Sequence, residues 1–306
     1  MTRLEPNTDA DHQTRLGLFY GSAACLTWGL FPLYIRAIKV VPPLEIAAHR
    51  MVGSALFLAI ITAALRRLPP PNLWFASWRR VGAHAFTTVV LAFNWLLYVW
   101  AVNAGRTLEA SLGYFINPLV SVLLGVVFLG ESLSRRQKLA VGLASAGVLT
   151  LLVGLGRPPW VSLLIAVTFA IYGLVRKVAR MDPLLGLLGE TVLLMPLALA
   201  YIIWLEKSGV GAIGSGSPTI RTLLLLAGAI TAIPLIWFTA GVRRLPLSTM
   251  GLLQYIAPTG QFLIAVMLFG ERFTPIHALA FGCIWISLVL YSTESFRRSR
   301  VPVVVT

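Results

Sequence analysis

The chain has 306 residues, of which 58% are hydrophobic and 12% charged, with a mean hydropathy of +0.83. Soluble domains carry about 25% charged residues, so a soluble globular surface of this size is excluded. The net charge of +14 comes with no nucleic-acid-binding motif, and in a membrane chain basic residues collect in cytoplasmic loops.

Residues 1–15, MTRLEPNTDADHQTR, are polar and mixed in charge, without an apolar core or small-residue cleavage site; they are expected to form a cytoplasmic tail and no removable signal peptide. Ten apolar runs follow, over 16–38, 43–65, 81–103, 107–129, 137–155, 159–177, 184–205, 221–242, 245–269 and 275–293, and residues 294–306 form a second tail. Each run suits a helix crossing a ~30 Å hydrocarbon core. None alternates as barrel strands do, and lipid admits only helices or closed barrels. The predicted fold class is an all-α integral membrane protein of ten transmembrane helices.

Two loops stand out. Residues 66–80, RRLPPPNLWFASWRR, suit a headgroup surface, and residues 206–220 contain GVGAIGSGSP, read as a flexible stretch. With the N-terminus inside, 17 Lys and Arg fall on inner segments and 7 on outer ones, which places both termini in the cytoplasm. Cys25 and Cys283 lie inside apolar runs and make neither a disulfide framework nor a ligand set, so no metal or cofactor is expected.

The chain repeats itself. At a constant offset of 140, Ile116, Pro118, Gly130 and Glu131 fall on Ile256, Pro258, Gly270 and Glu271. Ser134 falls on Thr274, and both read as helix N-caps. The halves are residues 16–155 and 159–293. Five helices per half is an odd number, so the second half enters the membrane from the opposite side. Such inverted-topology repeats belong to secondary transporters working by alternating access.

The stretches WGLFPLY (28–34), PLEIAAHR (43–50), NWLLYVWAVN (94–103), LEASLGYFINPLVS (108–121), YGLVRK (172–177) and LSTMGLLQYIAPT (247–259) resemble the RarD-type permeases of the EamA group, in the drug/metabolite transporter superfamily. The resemblance covers both halves. It implies ten helices in two inverted halves and outward transport of a small metabolite or drug across a bacterial inner membrane. Gly53 and Ala104 depart from the Trp and Asn expected there.

Ionisable groups deep in a bilayer are costly and mark function. Arg50 and Glu190 are the base and the acid well inside the runs, at equivalent positions of the two halves. Arg50 lies seven residues past Pro43 and Glu190 seven past Pro183, so each sits about 10 Å from its own membrane face. Their backbones are then about 9 Å apart in depth. An extended arginine bridges that distance, which predicts a substrate-anchoring or proton-coupling pair, or a permanent ion pair locking the helices. His49, beside Arg50, is a candidate relay, with Glu45 four residues earlier on the same face. Glu109, Glu131 and Glu271 lie at run ends and read as caps.

Pro118 and Pro258 sit mid-run at matched positions, and proline frees a carbonyl that lipid does not satisfy. Broken helices are expected there, with Tyr114, Asn117, Gln254 and Tyr255 around a polar pocket. Asn94 and Pro234 are equivalent and near mid-depth, and Trp28, Trp95 and Trp100 are the tryptophans considered for the cavity. The expected function is a secondary transporter of a small solute in the lipid bilayer, with protons as candidate coupling ion. A membrane-embedded enzyme on a lipid-linked substrate lacks a nucleophile elbow, an HExxH motif and a phosphate loop here. A structural or regulatory subunit is the other alternative. Oligomeric state, substrate identity and coupling are left open by these residues.

Overall fold

The computed structural model describes residues 8–66, 78–130, 132–154, 159–179, 182–245 and 247–299. Glu131, most of the Pro/Arg/Trp loop and the ends of both tails lie outside the described residues.

The described chain is built from helices: α1 (Thr8–Gly29), α2 (Phe31–Ala37), α3 (Pro43–Ala64), α4 (Trp78–Asn103), α5 (Thr107–Leu129), α6 (Arg135–Gly154), α7 (Trp160–Val178), α8 (Pro183–Lys207), α9 (Ala212–Ser215), α10 (Pro218–Arg244), α11 (Leu247–Leu253), α12 (Ile256–Met267) and α13 (Pro275–Ser299). Among the described residues nine segments are long and apolar enough to cross a bilayer, and the apolar stretch Pro275–Tyr291 is shorter. Ile60, Phe128, Val153, Leu197 and Leu225 lie exposed along these helices. Water does not accept so extended an apolar exterior, and hydrocarbon does. The protein is a multi-span membrane protein.

The local signals act as their chemistry dictates. Ser134 and Gln137 form a reciprocal capping box at α6: the Gln137 N–H donates to Ser134 Oγ (3.1 Å) and the Ser134 N–H to Gln137 Oε1 (2.9 Å). At the matched start of α13 the Thr274 N–H donates to His277 Nδ1 (3.2 Å). The helices before these caps end at Gly130 and Gly270, with φ of 64° and 68°. Side chains resist that left-handed conformation.

Proline breaks only some of the helices. The α11/α12 interruption falls at Gln254–Tyr255, one turn before Pro258, as expected. The break expected at Pro118 is absent, because α5 runs through it unbroken, as α10 does through Pro234. α5 is braced against α7: Ser162 Oγ donates to the Glu109 carbonyl (2.6 Å), and a Cβ on Gly113 would meet the Ser162 carbonyl at 2.8 Å. An unforeseen interruption separates α1 from α2 at Leu30, where Pro32 has no N–H to give the Trp28 carbonyl. The Gln261 amide donates to that carbonyl instead, at 3.0 Å.

The main packing pairs are α5 with α7, α1 with α10, α3 with α8, α3 with α10, α4 with α7, α1 with α12, and α6 with α13. The closest approach is α3 on α10. A Cβ on Gly53 would lie 2.9 Å from the Gly228 nitrogen, and one on Gly228 would overlap the Gly53 carbonyl. Bilayer helices associate through such small residues, since lipid leaves little hydrophobic drive between them. The Trp expected at position 53 has no room here.

The GVGAIGSGSP stretch reads as flexible in sequence, yet it contains the short helix α9. Glu45 accepts the Ala212 N–H (2.7 Å), and Glu206 accepts the N–H groups of Ile213 (3.0 Å) and Gly214 (2.9 Å). These two carboxylates satisfy the amides that a short helix leaves open.

Candidate functional site

Arg50 reaches from α3 into the space between α1, α2, α4, α7, α10 and α12, and is 4% exposed. Its Nε donates to Thr231 Oγ1 at 3.0 Å. Its guanidinium lies over the rings of Phe31 (4.8 Å) and Trp95 (4.6 Å). Each such contact is worth about 2 kcal/mol when desolvated. Among the described residues no carboxylate lies at ion-pair distance from it, and Nη1 is buried without a protein partner.

Around Arg50 is a cavity of about 50 Å³, with Trp28, Trp95, Tyr98, Tyr114, Gln254 and Gln261 in its wall. The Tyr98 hydroxyl and Gln261 Oε1 are also buried without a protein partner. Gln261 cannot turn, because only its amide nitrogen can donate to the Trp28 carbonyl. Phe169 and Gln254 are shared with a second cavity of about 390 Å³, whose wall continues through Tyr172 and Arg176 to Lys177, Asp182 and Arg243. The side chains of Asp182 and Arg243 at its far end are 40% and 62% exposed and pair at 3.2 Å.

Glu190 stands in the wall of α8, 2% exposed, but its partner is Arg176 and not Arg50. Arg176 Nη1 donates to both carboxylate oxygens at 3.0 Å; Thr87 donates to Oε1 (2.7 Å) and Tyr172 to Oε2 (3.2 Å). Arg176 Nη2 also donates to the Asp182 carbonyl (3.2 Å), next to the carboxylate that caps α8. Charge and hydrogen-bonding capacity are matched around Glu190, the condition under which a buried ion pair persists. Arg176 lies near the end of its run, where a base reads as a loop charge. Its spacing of four from Tyr172 is the available signal, since it puts both on one helix face.

The other candidates divide. Trp95, Tyr114 and Gln254 line the Arg50 cavity, as does Trp28. Asn117 stands behind the wall and donates to Gln254 Oε1 at 2.7 Å. Asn94 ties α4 to α7 instead, donating to the Ile165 carbonyl (3.0 Å) and Thr168 Oγ1 (2.8 Å). Tyr255 packs on Phe115, with ring centroids 6.0 Å apart, and shares a pocket of about 20 Å³ with Pro118, away from Arg50. Pro258 offers its carbonyl to Ser111 Oγ (3.0 Å). Pro234 lies inside α10, one turn from Thr231.

His49 faces Glu45 at 3.9 Å near α9 and is not in the cavity wall. Trp100 sits with Trp160 around Arg106, outside the cavity. Glu109 pairs with Arg106 (2.6 Å), and Glu271 accepts the Leu108 N–H (3.0 Å). Phe31, Tyr98, Phe169, Thr231 and Gln261 join the site without a sequence signal. Each is apolar or uncharged, so nothing distinguishes it in the sequence from ordinary packing. No group of three or more metal-ligating His, Cys, Asp or Glu exists among the described residues.

The EamA-like transporter family matches residues 15–153. The chain is 43% identical to Protein RarD of Streptomyces exfoliatus, over 95% of this chain and 92% of that one. It is 40% identical to Protein RarD of Escherichia coli K12, over 94% and 97%. A solved crystal structure has the same fold at a TM-score of 0.67 and 20% identity, covering 92% of this chain and 99% of that one. Residues at both ends of the Arg50 cavity therefore fall within full-length matches, and the chain belongs to the EamA-like transporter family, as a permease of its RarD type.

Proposed function

We propose that the chain moves a small metabolite or drug outward across a bacterial inner membrane by alternating access, with the Arg50 cavity as the solute site. The observation that carries this is a desolvated, uncompensated guanidinium in a small cavity that shares its wall with a larger one reaching exposed residues. A lone intramembrane charge is expensive and is retained for a pathway. The exposed end lies where α7 and α10 finish and α8 begins, the side that the positive-inside count assigns to the cytoplasm. At the opposite end Glu45 holds α9, and the Tyr34 hydroxyl donates to the Leu223 carbonyl at 3.1 Å. These contacts support closure on the outer side.

Two inverted five-helix halves, with ten spans, are part of this proposal. Exchanging the halves converts α5–α7 packing into α12–α1 packing, and α1–α10 into α7–α4, and all four pairs are present. The Gly130/Gly270 ends and Ser134/Thr274 starts recur at the same offset. Proton coupling, if Glu190 mediates it, would act through the Arg176 pair.

The test uses proteoliposomes loaded with a bacterial metabolite extract and read by mass spectrometry. Loss of a solute without chemical change, stopped by filling the cavity with Leu235→Trp, is expected. A chemically altered product, or no protein-dependent loss of any solute, would sink the proposal.

A further inference from the structure

The Arg50 cavity also carries information about its ligand, provided that the chain is a permease with its solute site there. Three polar groups in its wall are buried and unpartnered: Arg50 Nη1, the Tyr98 hydroxyl and Gln261 Oε1. Two of them are donors in the sense that matters for an anion, one charged and one neutral. Burying such groups unpaired is unfavourable, so the ligand that fits must accept from them. The remaining wall is aromatic or aliphatic: Trp28, Phe31, Trp95, Tyr114, Phe169 and Leu235.

An aromatic cage commonly selects an external cation. Here that place is already taken, because Phe31 and Trp95 hold the protein's own Arg50 guanidinium. A second cation would meet an unscreened like charge. A neutral ligand would leave the guanidinium uncompensated. An anion restores the balance that Arg176 supplies to Glu190 one helix away.

Size sets the rest. The cavity of about 50 Å³ holds an anionic headgroup and little more. Anything larger must extend past Phe169 and Gln254 into the 390 Å³ space, where Phe169 and Phe238 present ring surfaces 6.0 Å apart. The Arg50 side chain presents planar N–H geometry suited to a carboxylate rather than to a spherical ion.

We infer that the permease takes an organic monocarboxylate with a flat, largely apolar body, its carboxylate held by Arg50 Nη1 and the Tyr98 hydroxyl. Gln261 Oε1 accepts an N–H or O–H from ligands that carry one.

The test measures binding to the purified full chain in detergent by quenching of tryptophan fluorescence, since Trp28 and Trp95 are in the wall. The probes are 3-phenylpropionate and 1-naphthoate, their neutral amides, 3-phenylpropylamine, acetate and chloride. Saturable binding of the two aryl carboxylates is expected, at least about ten-fold tighter than their amides, the amine or acetate, as loss of a charged hydrogen bond requires. Tyr98→Phe should reduce the carboxylate-over-amide preference about three-fold or more, and Arg50→Gln should abolish it. If Arg50→Gln fails to fold, the native probe series and Tyr98→Phe still decide. Amides binding as well as acids, no saturable carboxylate response, or chloride and acetate binding as well as the aryl acids would overturn the assignment. Flux of the same probes separates the two readings: proteoliposomes that pass the amide or the amine but not the acid leave a permease with the wrong ligand class. Proteoliposomes that pass no solute at all refute the permease itself.

Discussion

Arg176 and Glu190, fourteen residues apart, close an ion pair in which one guanidinium nitrogen lies 3.0 Å from each carboxylate oxygen. The pair joins the end of α7 to the first third of α8 across the connection between them. Thr87 and Tyr172 complete its coordination. Removing one partner of such a buried pair leaves an uncompensated charge and costs about 3–5 kcal/mol. Glu190→Gln and Arg176→Gln should each lower the unfolding midpoint of the detergent-solubilised protein sharply. The double variant Arg176→Met/Glu190→Leu should recover much of the loss. A double variant worse than both singles would contradict a mainly structural role.

The same pair bears on coupling. With Glu190 as a proton carrier, Arg176 must release it during the cycle, so solute flux should follow an imposed pH gradient and Glu190→Gln should lose that dependence. Proteoliposome flux across a pH step measures both. Native flux indifferent to the gradient would remove Glu190 from the coupling scheme.

Gly228 has no space for a methyl group, because Gly53 fills it. Gly228→Ala should destabilise the α3–α10 contact by about 1–3 kcal/mol, the range for overpacking, and displace Arg50, which lies on the same helix as Gly53. Thermal unfolding would register the first effect and the binding series the second. An alanine tolerated without change in either would show that α3 and α10 have slack the packing does not display.

Glu45 holds α9 through the Ala212 amide. Glu45→Gln keeps an acceptor but loses the charge; Glu45→Ala removes both. Amide exchange across residues 206–216 should accelerate slightly in the first variant and strongly in the second. Equal exchange in all three proteins would mean that Glu206 alone holds the loop.

Both termini should lie in the cytoplasm. A green fluorescent fusion at residue 306 should fluoresce and an alkaline phosphatase fusion there should be inactive. The reverse pattern would invert the assignment of the exposed cavity end and turn the direction of transport around.

The spans are legible because hydrocarbon leaves a long sequence record: some twenty apolar residues per crossing. Arg50 and Glu190 are legible for the same reason, as charges where charges are costly. Their partners are not. Depth along the membrane normal is one coordinate, and pairing depends on which helices are neighbours. Arg176 is hard to read because a long side chain near a helix end can turn inward as readily as outward. Asn94 has the depth of a cavity residue, but helix rotation, which no single-chain pattern fixes, turns it toward Ile165 and Thr168. The proline matches mislead in a different way. Pro118 and Pro258 are equivalent in the repeat, yet packing against α7 keeps one helix whole and the other parts.

The uncompensated charge of Arg50 has an electrical consequence. Being fixed to α3, it adds no charge movement of its own while the ligand travels, so each monoanion leaving the cell carries one full negative charge through the membrane field. A cell interior 100 mV negative drives that step by about 2.3 kcal/mol, enough to sustain roughly a fifty-fold outward gradient. Such a carrier would draw on the membrane potential directly, run faster in polarised vesicles and stall when potassium and valinomycin collapse the voltage.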